Sequence, residues 1–227
     1  MVTIGFTYEI TITTYTDPRS SQADRCELGI FFGDGDSDTI PRINSAAPCD
    51  PSISCNCAGE ILVPGSIQKN VYRTKHTYPG PSTYIITMED PNRVDQVVNI
   101  PRSVSIPFFI RSTLVINPLI GSNNSPILTF PPVDDACICN PFYHNPGAVD
   151  PDGDSLAYSL SVCYGLNGAP IPGYTYPPAL CPRRTFEIDP LTGTLTWEGP
   201  LIEGVYNACI LISEYRKDSR GNWLMIG

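Results

Sequence analysis

The run FTYEITITTYT at 6–16 alternates apolar and polar side chains from Phe6 to Thr13. Phe6, Tyr8, Ile10 and Ile12 fall on one face of an extended chain; Thr7, Glu9, Thr11 and Thr13 fall on the other. That pattern is a half-buried antiparallel strand, because successive side chains of a strand point to opposite faces. The same period returns along the chain. STYIITMED at 82–90 puts Tyr84, Ile86 and Met88 on one face, and SLAYSLSV at 155–162 does so with Leu156, Tyr158, Leu160 and Val162. SVSIPFFI at 103–110 predicts a strand carrying Val104, Ile106, Phe108 and Ile110, with Pro107 opposite, at an edge or a bulge. TLTWEG and VYNACILISEYR read as further strands, and no window of a dozen residues sustains a helical period.

Composition agrees. The 227 residues include 24 Pro and 18 Gly, and each Pro inside a helix would lose a hydrogen bond and clash with the preceding turn. Turn signals such as GDGD, PGPS, DPNR, DPDGD, DPLTG and SRGN separate the runs. Many short strands between Gly/Pro turns predict an all-β chain of two tandem sandwiches. NPLIGSNNSP at 117–126 lies between two strand sets, which divides the chain into 1–115 and 116–227. Residues about 41–70, rich in Pro, Cys and Ser, read as an insertion in the first sandwich.

Twenty-three acidic residues against fourteen basic ones give a net charge of −9. An acidic surface repels phosphate backbones, so nucleic acid is not an expected partner. No apolar run reaches the length of a membrane span. The opening MVTIGFTYEI has no signal-peptide character, which places any export signal outside this sequence. Both ends read as cut from a longer chain or as needing partners.

Nine cysteines leave two readings, disulfides in an oxidising compartment or a zinc site. The paired CxxC spacing of a zinc ribbon is absent; CxC pairs stand at 55–57 and 137–139. An odd number leaves at least one thiol free or bonded elsewhere. Cys163 and Cys181 bracket a Pro/Gly-rich segment and are the expected disulfide, since a bridge there restrains a long loop.

In the first half, Phe32-Gly33-Asp34-Gly35, His76-Thr77-Tyr78-Pro79-Gly80 and the strand Tyr84-Ile85-Ile86-Thr87 follow in order. This resembles the PKD-type immunoglobulin-like domain, apart from the long insertion between the first two motifs. In the second half, AVDPDGDSLAYSL, FEIDPLTGTLTW and GVYNACILISEY resemble a cadherin-like immunoglobulin fold of bacterial surface proteins. Together they are similar to the repeat region of large secreted Bacteroidetes proteins that carry a gliding-motility-associated C-terminal sorting domain. The resemblance implies two tandem immunoglobulin-like sandwiches, export by the type IX secretion route and residence at the cell surface. It also makes DTI at 38–40 and DSL at 154–156 candidate O-glycosylation acceptors.

DPDGDS at 150–155 sets Asp150, Asp152 and Asp154 at alternate positions. Counted from Asp150, an EF-hand needs Gly sixth and Glu twelfth, where this chain has Ser155 and Ser161. The cadherin-like resemblance implies another calcium geometry, with Asp189 and Glu214 as helpers. The competing reading is a plain turn, which Asp, Pro and Gly favour. FGDGDSD at 32–38 is the weaker candidate: Asp34-Gly35 suits a hairpin turn, leaving Asp36 and Asp38 exposed.

Catalytic signatures are lacking: no GxSxG, HExxH, P-loop or GxGxxG motif appears. His76 is expected to pack against its sandwich, and His144 to lie at the surface. Tyr174 and Tyr176, in the segment 163–181, are candidates for a carbohydrate platform. The expectation is a non-catalytic structural or adhesive module of a secreted, cell-surface protein, with calcium as a candidate cofactor and other copies or neighbouring surface domains as partners. The alternative is a glycan-binding module of a secreted polysaccharide-degrading system.

Overall fold

The computed structural model describes residues 6–20, 23–45, 59–63, 67–177, 185–200 and 202–227. The chain is all-β, with antiparallel ladders, two 3-10 turns and no longer helix among the described residues. No helix there is long and apolar enough to cross a membrane. Two compact units form. One holds residues up to Asn92 together with Ile110–Ile116; the other holds Arg93–Phe109 and Asn117–Gly227.

The strands of the first unit are β1 (Phe6–Thr16), β2 (Glu27–Phe31), β3 (Ser37–Pro41), β4 (Glu60–Val63), β5 (Ile67–Tyr78), β6 (Ser82–Asp90) and β7 (Phe108–Ile116). They make two sheets, β1-β5-β4 and β3-β2-β6-β7. β1 runs against β5 from Phe6 opposite Tyr78 to Thr16 opposite Gln68. The alternation read from β1 is the alternation of burial: Thr7, Glu9, Thr11 and Thr13 are exposed and Ile12 is buried. Ile12, Ile30, Phe32, Ile40, Tyr72, Tyr84 and Met88 share one core. The Cys/Pro-rich insertion is described only in part. β4 and the start of β5 belong to it, while 46–58 and 64–66 lie outside the described residues.

One expected strand is not where the period put it. Ser103–Ser105 is a 3-10 turn, and β7 begins only at Phe108. Val104, expected to face the core, is exposed. The cause is Ser103, whose buried hydroxyl accepts the Val97 N–H at 3.1 Å and donates to the Val94 carbonyl at 2.8 Å. That side chain competes with strand pairing for the backbone.

The second unit contains β8 (Ile127–Leu128), β9 (Pro141–His144), β10 (Ala148–Val149), β11 (Ser155–Ser161), β12 (Phe186–Ile188), β13 (Leu195–Glu198), β14 (Cys209–Lys217) and β15 (Trp223–Met225). Its sheets are β11-β14-β15, β12-β13-β9 and β10-β8. β11 and β14 pair from Ser155 opposite Tyr215 to Ser161 opposite Cys209. The segment 93–109, placed with the first half by the sequence division at 115, is bonded within this unit. The Arg93 guanidinium donates to the carbonyls of Ile106, Pro107 and Tyr164 and to Asn207 Oδ1, at 2.8–3.2 Å. Buried Asn99 donates to the carbonyls of Thr175 and Asn207.

The expected Cys163–Cys181 bridge is corrected. Cys163 is bonded to Cys209, with the Cα atoms 5.5 Å apart. The register explains this: Ser161 faces Cys209 at the end of the β11–β14 ladder, so Cys163 leaves β11 beside it. A cross-strand neighbour is nearer than the far end of a loop, although it is 46 residues away in sequence. Cys181 lies outside the described residues.

Candidate functional site: an acidic loop clamped by an arginine

The loop DPDGDS connects β10 to β11. Asp150 organises it: its Oδ1 accepts the backbone N–H groups of Asp152 at 2.8 Å and Asp154 at 3.0 Å. Gly153 takes φ +80, a left-handed conformation that glycine adopts freely. The result brings Asp150, Asp152 and Asp154 together, with ligand oxygens all within 4.8 Å of one another. This is the convergence read from the alternate spacing.

The element that sequence reading missed is Arg216. It stands two residues after Glu214 on β14, so both side chains project from the same face. Its Nε reaches the two carboxylate oxygens of Asp154 at 2.8 and 3.1 Å. Its Nη2 also donates to Asp154 and, at 2.9 Å, to Asn123 Oδ1. Its Nη1 donates to the carbonyls of Ile120 and Ser122 at 2.9 and 3.0 Å. Asp152 is held mainly by the backbone and side-chain amides of Asn124, at 2.7 and 2.9 Å, with Arg216 Nη2 3.4 Å from its Oδ2. These amides, Asn124 N–H foremost, keep the Asp152 carboxyl below its ordinary range. One guanidinium thus joins the 120–123 turn, the acidic loop and β14. Opposite charge two residues beyond Glu214 was the available signal.

Glu214 lies beneath the loop, 2% exposed, and accepts a hydrogen bond from the Asn123 side-chain amide. Burial, with the neighbouring Asp150, Asp154 and Asp152 charges adding to it, pushes its carboxyl up from 4.5 to about 7. Asp150 Oδ2 is also buried and has no hydrogen-bond partner among the described residues. Asp189 is not part of this group. Its carboxylate accepts the N–H groups of Leu191 and Thr192 at 2.9 and 2.8 Å, which makes it the cap of the β12–β13 turn.

The raised Glu214 carboxyl has a consequence for pH. Below 4.5 it is protonated in folded and unfolded chain alike. Between 4.5 and about 7 the unfolded chain releases the proton and the folded chain keeps it, so stability falls as pH rises through that window. Ionised burial of this size costs about 3 kcal/mol. Glu214→Gln keeps the Asn123 bond and removes the charge. In chelator it is expected to stabilise the chain by about that amount at pH 8 and to be neutral near pH 4.5, as read from urea midpoints across pH. A Gln variant weaker than wild type at pH 8 would show that the carboxylate has a favourable partner.

The second acidic group is Asp34, Asp36 and His76, again with ligand atoms within 4.8 Å. His76 Nε2 lies 2.7 Å from Asp34 Oδ2, and its ring stacks on Phe32 at 3.9 Å. The His76 hydrogen bond holds the Asp34 carboxyl below its ordinary range. Gly33 is required here: its φ is +87, and a Cβ would lie 2.6 Å from the Ile85 backbone nitrogen. His144 is 3.4 Å from Asp134. Thr39 and Ser155, the candidate acceptors for O-glycans, are both exposed.

Of the two tyrosines read as a platform, Tyr174 is half-buried and donates its hydroxyl to the Asn207 carbonyl at 3.3 Å. Burial pushes that hydroxyl up to about 12. Tyr176 is more open, at 39% exposure, and its ring stacks near Phe186. Trp223, not singled out from sequence, is 54% exposed, with the Lys217 ammonium 4.7 Å from its ring centre. No family model, curated protein or solved structure matches the chain.

Proposed function

We propose that this chain is a non-catalytic structural and adhesive module of an extracellular, cell-surface protein. The observation that carries the reading is that the β11–β14 pair is pinned at both ends. Arg216 and Asp154 lock it where Ser155 faces Tyr215, and the Cys163–Cys209 disulfide locks it where Ser161 faces Cys209. A strand pair fixed at both ends resists sliding, which is the demand on a part that holds other parts together. The disulfide suits an oxidising location outside the cytosol.

Joining to neighbours uses the sheet edges. Among the described residues, β15 borders its sheet with Trp223, Leu224 and Met225 all exposed, and β4 does so with Ile61, Leu62 and Val63. Open apolar edges invite an added strand. Ile226 N–H bonds inward to Glu214, so the alternate N–H of Met225 faces outward.

Calcium fits the acidic loop on one observation, the buried Asp150 oxygen that lacks a partner. Asp150, Asp152, Asp154 and Glu214 would hold the ion with hard oxygens, and it would supply charge neutralisation and stiffness. Arg216 already neutralises part of the cluster, so the ion and the guanidinium act on the same carboxylates.

Sedimentation velocity with free thiols blocked by iodoacetamide and the disulfides left intact, paired with a glycan array, separates this reading from the glycan-binding one. Association that grows with concentration and is lost in Met225→Pro, with a blank array, is the expected result. A strict monomer that binds a defined oligosaccharide, with binding lost in Tyr176→Ala or Trp223→Ala, would replace the proposal with its rival.

A further inference from the structure

Among the described residues two cysteines carry free thiols. Cys137 and Cys139 are free and exposed, in a chain whose Cys26, Cys163 and Cys209 are disulfide-bonded. Nine cysteines are an odd number, so at least one has no partner among these 227 residues. The 137–139 turn precedes β9 and is held by its backbone. The Cys139 N–H donates to the Pro200 carbonyl at 2.8 Å, and the Asn140 N–H to the Cys137 carbonyl at 3.3 Å. Cys139 sits at φ +62, a left-handed conformation uncommon for a residue with a side chain. The anchored backbone thus presents both thiols to solvent. The same stretch of chain also exposes Phe130, Val133, Ile138 and Tyr143.

We propose that Cys137 and Cys139 form a redox site through which two copies of this chain are covalently joined at their 137–139 turns. A second copy is the occupant the observations favour. It brings the same free thiols, and in a two-fold contact the same apolar side chains meet on both sides and leave water together. The chemistry is thiol–disulfide exchange with a low-molecular-weight disulfide as oxidant. A thiolate of one copy attacks that disulfide, forms a protein–small-molecule S–S bond and releases one small thiolate, which takes up a proton. A thiolate of the second copy then attacks the protein sulfur and releases the second small thiolate. Two protein thiols are oxidised to one interchain disulfide, and one small disulfide is reduced to two thiols. The site does not depend on the adhesive reading; a glycan-binding module would carry it equally.

The test mixes unlabelled and nitrogen-15-labelled full chain, adds oxidised glutathione, blocks residual thiols, and combines non-reducing electrophoresis with peptide mass mapping. A covalent dimer is expected, reversed by dithiothreitol, with mixed-isotope cross-linked peptides containing 137–139. In Cys137→Ser with Cys139→Ser that dimer is lost, while the melting midpoint is unchanged. A monomer bearing a Cys137–Cys139 bond or only glutathione caps would overturn the proposal. So would a dimer that persists in the double variant.

Discussion

Replacing Arg216 with Met is expected to lower the stability of the second unit by about 3 kcal/mol in chelator, measured by urea denaturation. The side chain is 21% exposed and its partner Asp154 only 7%. Removing one member of a largely buried pair leaves the other charge without compensation. Here three further acids, Asp150, Asp152 and Glu214, surround it, and each raises the cost of the remaining charges. The loss of the bonds to Ile120, Ser122 and Asn123 also frees the 120–123 turn. Millimolar calcium is expected to recover part of the loss, because the competing cation has gone. It is also expected to stabilise wild type, and to stabilise Asp152→Asn less, since an ion that binds only the folded state must raise its stability. An unchanged urea midpoint in Arg216→Met would mean that the guanidinium is not the clamp.

Removing the disulfide is expected to cost slightly more. Cys163 and Cys209 close a loop with a sequence separation of 46, and chain entropy puts its loss at about 4 kcal/mol. Cys163→Ala with Cys209→Ala also empties volume at a position where Cys163 is 1% exposed, packed with Val97, Ile100 and Ile171. The staple and the clamp lie at opposite ends of a seven-residue ladder, about 20 Å apart at the ordinary strand rise. At that distance their effects should add. The combined variant would lose about 7 kcal/mol, comparable to the whole stability of an ordinary domain. Circular dichroism of that variant should therefore show the second unit largely unfolded, whereas each change alone leaves it folded. Full stability after reduction would place the stiffness elsewhere.

How far the fold was legible follows from what each signal measures. Period two reports burial along a single strand, and β1, β6 and β11 were readable from it because their neighbours lie where the pattern needs them. It does not report which strand lies opposite. Cys209 could be matched to Cys163 only through the β11–β14 register, which local pattern does not contain. Ser103 misled the period for a related reason: a buried hydroxyl bonding Val94 and Val97 outcompeted the alternation around it. At the candidate site, the three loop aspartates were visible at alternate spacing and their carboxylates come together, while Glu214 lies near enough for their charges to raise its carboxyl. Asp189 carried the same chemistry but caps its own turn. Arg216 was overlooked because a search for cation ligands passes over a residue that is itself the cation.

The most direct test of the account is to stretch single molecules of the full chain from both ends, oxidised and reduced. The pinned ladder predicts that the oxidised second unit gives way at a distinct, high force and releases a length shortened by the segment between Cys163 and Cys209. Arg216→Met should lower that force without changing the length released. If the second unit yields at the same low force in wild type, in Arg216→Met and after reduction, the chain is not built to hold against load, and the structural reading fails.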